Sequence, residues 1–413
     1  MFYSSRDILD SMDPFLAFLA AVIFVSLIIP RLGPFLSLVI AAIAFGLLVG
    51  MGEDVLGYVS TGLSRIFSSL AIVVFSGALL AEYLRSTESL ERIVADLGRL
   101  ADKSLAVSGA AGYLISLPVM CSITAYMILQ PVVSGLAGKD SENDKRALFM
   151  TAACSIISFN LIYPSPVMIT LSTGLEAQPY DLLMRGIPIS LVLFALAYIL
   201  MKHFFPAKTE SRVIRAPPKM SRSRAWAPLL VPIALILFGG LQERTRILAD
   251  PGIALLLGAM LCLALERKKM QELIHVASRR SGVILLDLCG AGAFGYVVAQ
   301  SGLGQEIFRL GHFLPALLLP FLVSAALQLA QGSRVVTATV ATQILAHYPL
   351  PAVTLALLIA SGAFMFSYVT DPYFWLIKSS TGASMKQTVL GYTLPLSLLG
   401  LAALALAAIS SIL

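Results

Sequence analysis

The stretch AACSIISFNLIYPSPVMITLSTG, residues 152–174, is echoed in the second half of the chain by ASGAFMFSYVTDPYFWLIKSSTG, residues 360–382. Aligned without a gap, the two stretches share a proline at mid-span, Pro164 and Pro372, and a closing Ser-Thr-Gly. A proline removes one backbone donor and clashes with the preceding helical turn. We therefore predict two apolar helices, each broken near its centre at the same relative position.

The composition places such helices in a membrane. Of the 413 residues, 58% are hydrophobic and 13% are charged, and the mean hydropathy is +0.88. So apolar a chain does not form a soluble single domain, and we predict an all-α integral membrane protein surrounded by a lipid bilayer. Its length allows roughly ten to twelve hydrophobic segments of about 20 residues, which leaves no room for a soluble catalytic domain.

Charge and cysteine usage exclude several further classes. The net charge of +6 is typical of cytoplasmic loops in a membrane protein, and it does not imply nucleic acid. The four cysteines lie in apolar stretches, and no pair of histidines has metal-ligand spacing, so we expect no metal and no cofactor. No phosphate-binding glycine loop is present, so an ion gradient is the expected energy source. The acidic amino terminus does not resemble a cleaved signal peptide.

Basic residues orient the predicted spans. The segment 202–227 is strongly basic and should face the cytoplasm as a linker. It separates an amino-terminal repeat with scaffold helices, residues 1–201, from a carboxyl-terminal repeat, residues 228–413. The basic loops on both sides of residues 105–137 are also predicted to face the cytoplasm. A single membrane crossing would place them on opposite sides, so it does not explain both.

We therefore interpret residues 105–137 as a re-entrant hairpin, whose irregular tip is tolerated where protein or water surrounds it. Residues 312–348 form its counterpart, entering from the outside. About ten true spans remain, with both termini outside. A weaker echo between residues 76–86 and 289–299 supports two repeats of inverted topology, and paired broken spans in such repeats are typical of the binding site of a secondary transporter.

Polar residues in the second half are the main site candidates. Charged groups at membrane depth cost several kcal/mol unless they are paired or hydrated. Arg334 has the planar fork that suits a carboxylate, and half-helix amides favour any anion. The alternative is that Arg334 and Asp371 pair with each other and hold the break together. Asp371 and Asp287 are candidates for carrying a coupled proton, although Asp287 fits equally well as a solvated residue near a helix end.

The other candidates are neutral polar residues near the two breaks and tips. They would donate to substrate hydroxyls or, as an equal alternative, hold helices together. They are Gln331, Gly332, Ser333, Thr337, Ser367, Thr370, Asn160, Ser165, Ser122 and Thr124.

Two stretches of the second half resemble a known family. GAGAFGYVVAQSGLGQEIF with LPALLLPFLVSAALQLAQGS, between residues 290 and 333, and FSYVTDPYFWLIKSSTGAS, residues 366–384, resemble the gluconate permease family within the ion transporter superfamily. The resemblance implies proton-coupled uptake of sugar acids across a bacterial inner membrane. It covers the last third of the chain well and the first half loosely. The matching positions are Gln331, Gly332, Ser333, Ser367, Asp371, Phe374 and Trp375.

The chain departs from the family pattern at Arg334, Tyr368, Thr370 and Pro372, and the first tip, PVMCSITAY, has no acidic residue. These departures line the predicted pocket and bear on which anion it accepts. We expect a secondary active transporter that takes up a small organic anion with protons, with gluconate or a related sugar acid as the substrate.

Two other transport functions remain open. A sodium-coupled carboxylate transporter is the first, because unwound carbonyls also coordinate sodium. A cation/proton antiporter is the second, but we would expect few arginines in its pocket, whereas Arg334 favours an anion. Transporters of this kind are often homodimers, although no segment of the sequence identifies a dimer surface.

Overall fold

A computed structural model describes residues 12–100, 103–134, 136, 141–206, 219–239, 243–311, 313–368 and 370–411. Within these residues the chain is helical and contains no strand. Both chain termini, which we predict to lie outside the cell, fall beyond the described residues, and so does the middle of the basic linker.

The first half contains eight helices up to the linker. They are α1 Pro14–Leu48, α2 Asp54–Ser86, α3 Ser89–Leu100, α4 Ser104–Val119, α5 Ser122–Val133, α6 Ser141–Leu161, α7 Pro166–Leu175 and α8 Pro179–Phe204. The second half continues with α9 Arg222–Phe238, α10 Pro251–Leu265, α11 Met270–Gln300, α12 Leu303–Leu310, α13 Leu318–Gln331, α14 Arg334–Ile344, α15 Ala352–Gly362, α16 Pro372–Thr381, α17 Met385–Thr388 and α18 Leu394–Ser410.

Helix α1 is two antiparallel arms rather than one rod. Gly33 has a φ of 76° and a ψ of 167°, outside the helical region, and Pro34 follows it at the start of the second arm. The amide of Met12 donates to the carbonyl of Leu48 at 3.0 Å, so the beginning and the end of α1 lie together. The chain therefore reverses direction at Gly33.

The same order of elements occurs in both halves. A long helix, α2 or α11, is followed by a short amphipathic helix, α3 or α12, and then by a helical hairpin, α4–α5 or α13–α14. A broken helix comes next, α6–α7 or α15–α16, and a helix closes each half. The recurrence agrees with the predicted duplication, while the inverted orientation of the two halves in a membrane stays a prediction.

The two long helices, α2 and α11, cross in close contact at Gly62 and Gly292. A Cβ atom added to Gly292 would lie 2.6 Å from the carbonyl oxygen of Gly62, and one added to Gly62 would overlap the backbone of Gly292. Only glycine permits this approach, as is common where membrane helices pack. Near their other ends, the buried Glu82 of α2 pairs with Arg280 of α11 at 3.2 Å.

The start of α9 is held against α3. Asp96 of α3 accepts hydrogen bonds from Arg222 Nε and Trp226 Nε1, both at 3.1 Å, and from Arg92 Nε at 3.2 Å. Burial raises the pKa of the Asp96 carboxyl, but these hydrogen bonds outweigh it and hold the pKa below its ordinary value. The carboxylate thus joins the second half to the first at the end of the linker.

Six stretches of the described chain are long and apolar enough to cross a membrane. They are Arg31–Leu48, Asp54–Ser86, Glu142–Leu175, Pro179–Phe204, Arg267–Gln300 and Met385–Ser410. The predicted number of about ten spans is not confirmed. The hairpin helices α13 and α14 have 14 and 11 residues. At 1.5 Å per residue they reach only about 21 and 17 Å, too short to span an apolar core of about 30 Å singly.

Candidate functional site

The first predicted break is short. Helix α6 ends at Leu161 and α7 begins at Pro166. Ser165 is the N-cap of α7, and its side chain accepts a hydrogen bond from the amide of Met168 at 3.2 Å. The interruption at Pro164 is therefore present, as the sequence predicts.

The second break is longer, because α15 already ends at Gly362 and α16 begins at Pro372. Side chains near the start of α18 bond the unwound backbone: Thr393 donates to the carbonyl of Ser367 at 2.6 Å, and Ser397 accepts from the amide of Phe366 at 3.3 Å. Pro372 is the first residue of α16, where its missing amide costs nothing. The aligned prolines thus mark both breaks but occupy different positions in them.

Both predicted hairpins turn at a residue with positive φ. The first turns at Met120, with a φ of 56°, and the second at Gly332, with a φ of 69°. A Cβ atom on Gly332 would overlap the carbonyl of Thr370 and lie 2.6 Å from the Cα atom of Asp371. The second tip therefore rests directly on the backbone of the second break.

A cavity of about 240 Å³ lies between the two tips, and we call it the tip cavity. Both hairpin tips, the second arm of α1, the middle of α11 and the starts of α7 and α16 form its wall. The wall includes Pro34, Leu38, Met120, Cys121, Ser122, Ile123, Pro166, Ile284, Asp287, Gln331, Gly332, Ser333, Arg334, Val335, Val336, Thr370 and Pro372.

Four helices begin at residues that line the tip cavity: α5 at Ser122, α7 at Pro166, α14 at Arg334 and α16 at Pro372. Amides in the first turn of a helix have no partner within it and carry partial positive charge. In three of these helices a side chain of the N-cap residue accepts from such an amide, namely the sulfur of Cys121 in α5, the hydroxyl of Ser165 in α7 and the carboxylate of Asp371 in α16.

The N-terminus of α14 differs from the other three. Its N-cap residue, Ser333, makes no side-chain capping bond. Arg334 follows as the first residue of the helix, so its guanidinium, which pairs with Asp371, stands beside the first-turn amides. Both features favour an anion at this end of the cavity.

Arg334 and Asp371 form an ion pair. Nη2 of Arg334 lies 3.2 Å from Oδ2 of Asp371 and also donates to the hydroxyls of Ser367 at 2.7 Å and Tyr392 at 3.1 Å. Asp371 is fully buried, and its other oxygen accepts from the amide of Tyr373 at 2.9 Å. The predicted alternative that the two charges pair is thus observed, while Nε of Arg334 is buried and has no hydrogen-bond partner among the described residues.

Tyr392 is a member of this cluster that the sequence reasoning missed. Its hydroxyl donates to Oδ2 of Asp371 at 2.8 Å. It lies in a π-helical turn, residues 389–393, which joins α17 to α18. Such wide turns are frequent at functional sites. The only available signal was a tyrosine in an otherwise apolar run ahead of Pro395.

Asp287 faces the tip cavity from α11 and is partly exposed. The amide of Phe35, in the first turn of the second arm of α1, donates a hydrogen bond to its carboxylate. The carboxylate therefore caps that arm where the chain has just reversed, and it also remains in contact with the cavity.

The structure divides the predicted site residues into two groups. Gln331, Gly332, Ser333, Arg334, Thr370, Ser122 and Asp287 line the tip cavity. Thr337, Ser367, Asp371, Asn160, Ser165 and Thr124 are not among its lining residues.

The second group has other partners or none. Thr337 donates to Gln328 within its own hairpin at 3.0 Å, and Ser367 and Asp371 hold Arg334. Asn160 is fully buried, and neither polar atom of its side chain has a partner in the described part of the chain. No group of three potential metal ligands is found among the described residues.

Residues 14–413 match the family described as GntP family permease, which confirms the resemblance seen in the sequence. The high-affinity gluconate transporter of Escherichia coli K12 is 25% identical over 88% of this chain and 91% of its own length. The D-serine transporter DsdX of the same strain is 25% identical over 87% of this chain and 89% of its own length.

Among solved structures, the YdaH transporter of Alcanivorax borkumensis has a similar fold, with a TM-score of 0.63 at 15% identity over 94% of this chain and 98% of that one. That identity supports the fold alone. From the match that spans almost the whole sequence, the chain belongs to the GntP family of permeases, which are multi-pass membrane transporters and not enzymes.

Proposed function

We propose that the protein takes up a small hydroxylated carboxylate, with gluconate or a related sugar acid as the substrate, together with protons across a bacterial inner membrane. The observation that carries the proposal is the uncapped N-terminus of α14 with Arg334 beside it, facing the tip cavity. At about 240 Å³ the cavity is below the range of about 300–1,000 Å³ typical of drug-sized ligands. A solute with few carbon atoms fits this size.

In this proposal the substrate carboxylate binds the first-turn amides of α14 and the guanidinium of Arg334. Gln331 is 5% exposed, and both polar atoms of its side-chain amide lack a hydrogen-bond partner in the part of the chain that the structure describes. It lines the cavity, so it can donate to one hydroxyl of the substrate and accept from another. Ser122 and Thr370 lie on the same wall and offer further hydroxyl contacts.

The ion pair with Asp371 gives Arg334 a fixed position. All three of its side-chain contacts use Nη2, so the pair and the hydroxyls of Ser367 and Tyr392 hold one edge of the guanidinium. The amide of Tyr373 and the hydroxyl of Tyr392 donate to the oxygens of Asp371, and Arg334 pairs with it. This arrangement suits a carboxylate. We therefore assign Asp371 to positioning rather than to proton transport.

Asp287 is the proton carrier in this proposal. It lines the same cavity and accepts one backbone hydrogen bond, so it has far fewer donors than Asp371. Replacing it with asparagine keeps the hydrogen bond from Phe35 and removes the titratable group. We expect Asp287→Asn to equilibrate substrate without accumulating it against a gradient.

An amino acid is a second candidate substrate. Arg334 and Asp287 carry opposite charges on one wall, which matches the carboxylate and ammonium groups of a zwitterion. One relative is a D-serine transporter. A sodium-coupled mode also remains open, and replacing sodium with choline at constant pH separates it from proton coupling.

The decisive experiment measures uptake of labelled D-gluconate and D-serine into proteoliposomes with an inward proton gradient. We expect gluconate to accumulate and collapse of the gradient to abolish accumulation. Accumulation that ignores the proton gradient but requires sodium would contradict proton coupling. Transport of neither solute would refute the substrate class.

Cys121 provides a direct report from the tip cavity. It lines the cavity and is partly exposed, whereas Cys154, Cys262 and Cys289 are buried. A bound solute should therefore slow labelling of Cys121 by N-ethylmaleimide. Protection by gluconate that disappears in Arg334→Gln would place the substrate carboxylate at α14.

A further inference from the structure

A second and larger cavity, of about 570 Å³, lies between α2, α7, α11, α12 and α14, and we call it the far cavity. It shares four helices, α2, α7, α11 and α14, with the tip cavity but no lining residue. Helix α14 starts at the tip cavity with Arg334 and reaches the far cavity at Thr339 and Ile344. The far cavity is therefore a separate space beyond the second hairpin tip.

Three residues with unpaired polar atoms line this space. Thr170 and Thr342 are 7% and 2% exposed and line the far cavity. Their hydroxyl oxygens, together with Oε1 of Gln343 on the same wall, make no hydrogen bond in the described part of the chain. Buried polar groups left unpaired cost free energy, so a polar occupant would be stabilised here.

An exposed positive charge on the first half of α2 also lines the cavity. Arg65 lies twelve positions into α2 and its guanidinium stands 4.6 Å from the ring centroid of Tyr296 of α11. The ring fixes the position of the charge through a cation–π contact. No acidic residue lines the cavity and Arg65 forms no salt bridge within the described residues.

We propose that the far cavity is a second binding site for a hydroxylated carboxylate, with Arg65 as its cation and the side chains of Thr170, Thr342 and Gln343 as hydroxyl partners. A cation beside a cavity whose described lining has no acidic residue attracts an anionic solute. Here that charge stands with unpaired hydroxyl and amide groups, which are the complement of a sugar acid. The inference rests on the proposed class of substrate but not on the tip cavity.

The position of the site indicates its role. About five residues of α14 separate Arg334 from Thr339, which corresponds to about 8 Å along the helix. A solute in the far cavity is therefore one short step from the tip cavity, with the second hairpin between them. In this proposal the far cavity holds the solute on the opposite side of that hairpin, before or after it occupies the tip cavity.

Thiol labelling of the full-length protein in detergent tests the site. Gln300→Cys places a reporter on the wall of the far cavity, in a Cys121→Ser background that removes the accessible native thiol. D-gluconate is the probe, with mannitol as an uncharged polyol control and sodium chloride as an ionic-strength control. The rate of reaction with N-ethylmaleimide is the measurement.

We expect gluconate at about ten times its dissociation constant to slow labelling about tenfold, and mannitol and chloride to have little effect. Arg65→Gln should abolish the protection, and Arg65→Lys should restore most of it because the charge is kept. Arg334→Gln should leave it unchanged.

Unchanged labelling in the presence of gluconate would overturn the proposal, whatever Cys121 reports in the native background. Protection that survives Arg65→Gln but is lost with Arg334→Gln would also overturn it, because the reporter would then be sensing the tip cavity. Protection of Cys121 alone would leave the proposed function standing and refute the second site.

Discussion

The two hairpin tips occupy equivalent places in the order of elements but differ in chemistry. The first turns at Met120, and the sulfur of Cys121 caps the helix that follows. The second turns at Gly332, leaves the next helix uncapped by Ser333 and begins it with Arg334. The first tip caps its own helix with a side chain and carries no charge, whereas the second has no side-chain cap and adds an arginine.

This difference indicates a division of roles between two similar elements. An anion gains most at the tip whose amides have no internal acceptor and whose first side chain is cationic. The first tip then supplies shape and a neutral hydroxyl at Ser122.

The strongest test removes the charge at the second tip. Arg334→Gln should abolish uptake and also destabilise the protein by about 3–5 kcal/mol, because it leaves the buried Asp371 unpaired. The double variant Arg334→Gln with Asp371→Asn removes both charges, and we expect it to recover stability but not uptake. Thermal unfolding and proteoliposome uptake separate the two effects. Full transport by the folded double variant would contradict a role for this tip in binding.

The next test adds one methyl group at the turn of the second tip. Gly332→Ala should reduce uptake strongly, because its Cβ atom would overlap the backbone of Thr370. Gly382→Ala is the matched control: its φ of 61° imposes a similar strain of about 1–2 kcal/mol, but a Cβ atom there meets nothing within 4 Å.

We expect the control to keep near-normal uptake and to lower the unfolding temperature only slightly. Equal losses in the two variants would show that backbone strain, rather than contact between the tip and the break, limits transport.

A smaller effect is expected when the support of Arg334 is weakened. Tyr392→Phe removes the hydroxyl that bonds both Arg334 and Asp371. We expect about a tenfold rise in the substrate concentration for half-maximal uptake, equivalent to about 1.4 kcal/mol, with a smaller change in maximal rate.

Tyr113→Phe is the control for that variant, because its hydroxyl bonds Ser190 at 2.6 Å and does not contact the ion pair. An affinity change of the same size in both variants would assign the effect to general packing.

Helix-breaking proline and glycine residues made the breaks and hairpins predictable. Pro164, Pro372 and Gly332 interrupt helices through covalent geometry, which needs no tertiary information. The greater length of the second break was not predictable, because the side chains that bond its backbone, Thr393 and Ser397, lie 26 and 31 residues further along the chain. Similarly, the hydrogen bond from the amide of Phe35 to Asp287 was not predictable, because it depends on the reversal of the chain at Gly33.

The residue types of the candidate site were predictable, but their arrangement in space was not. Arg334 and Asp371 stood out because charges are rare in apolar spans. Asn160 and Ser165 were grouped with them by nearness to a proline, yet they do not line the tip cavity. Tyr392 was missed because an aromatic residue in an apolar run most often belongs to the core, and only the π-helical turn places its hydroxyl beside the ion pair.

The four helix beginnings around the tip cavity have an electrostatic consequence that does not depend on any ionisable side chain. Each contributes about half an elementary charge, so together they supply a potential of about two positive charges to a small space. This potential favours a negative charge in the cavity whichever side chain binds it. A carboxylate held there would offset the partial charges of all four helix ends at once.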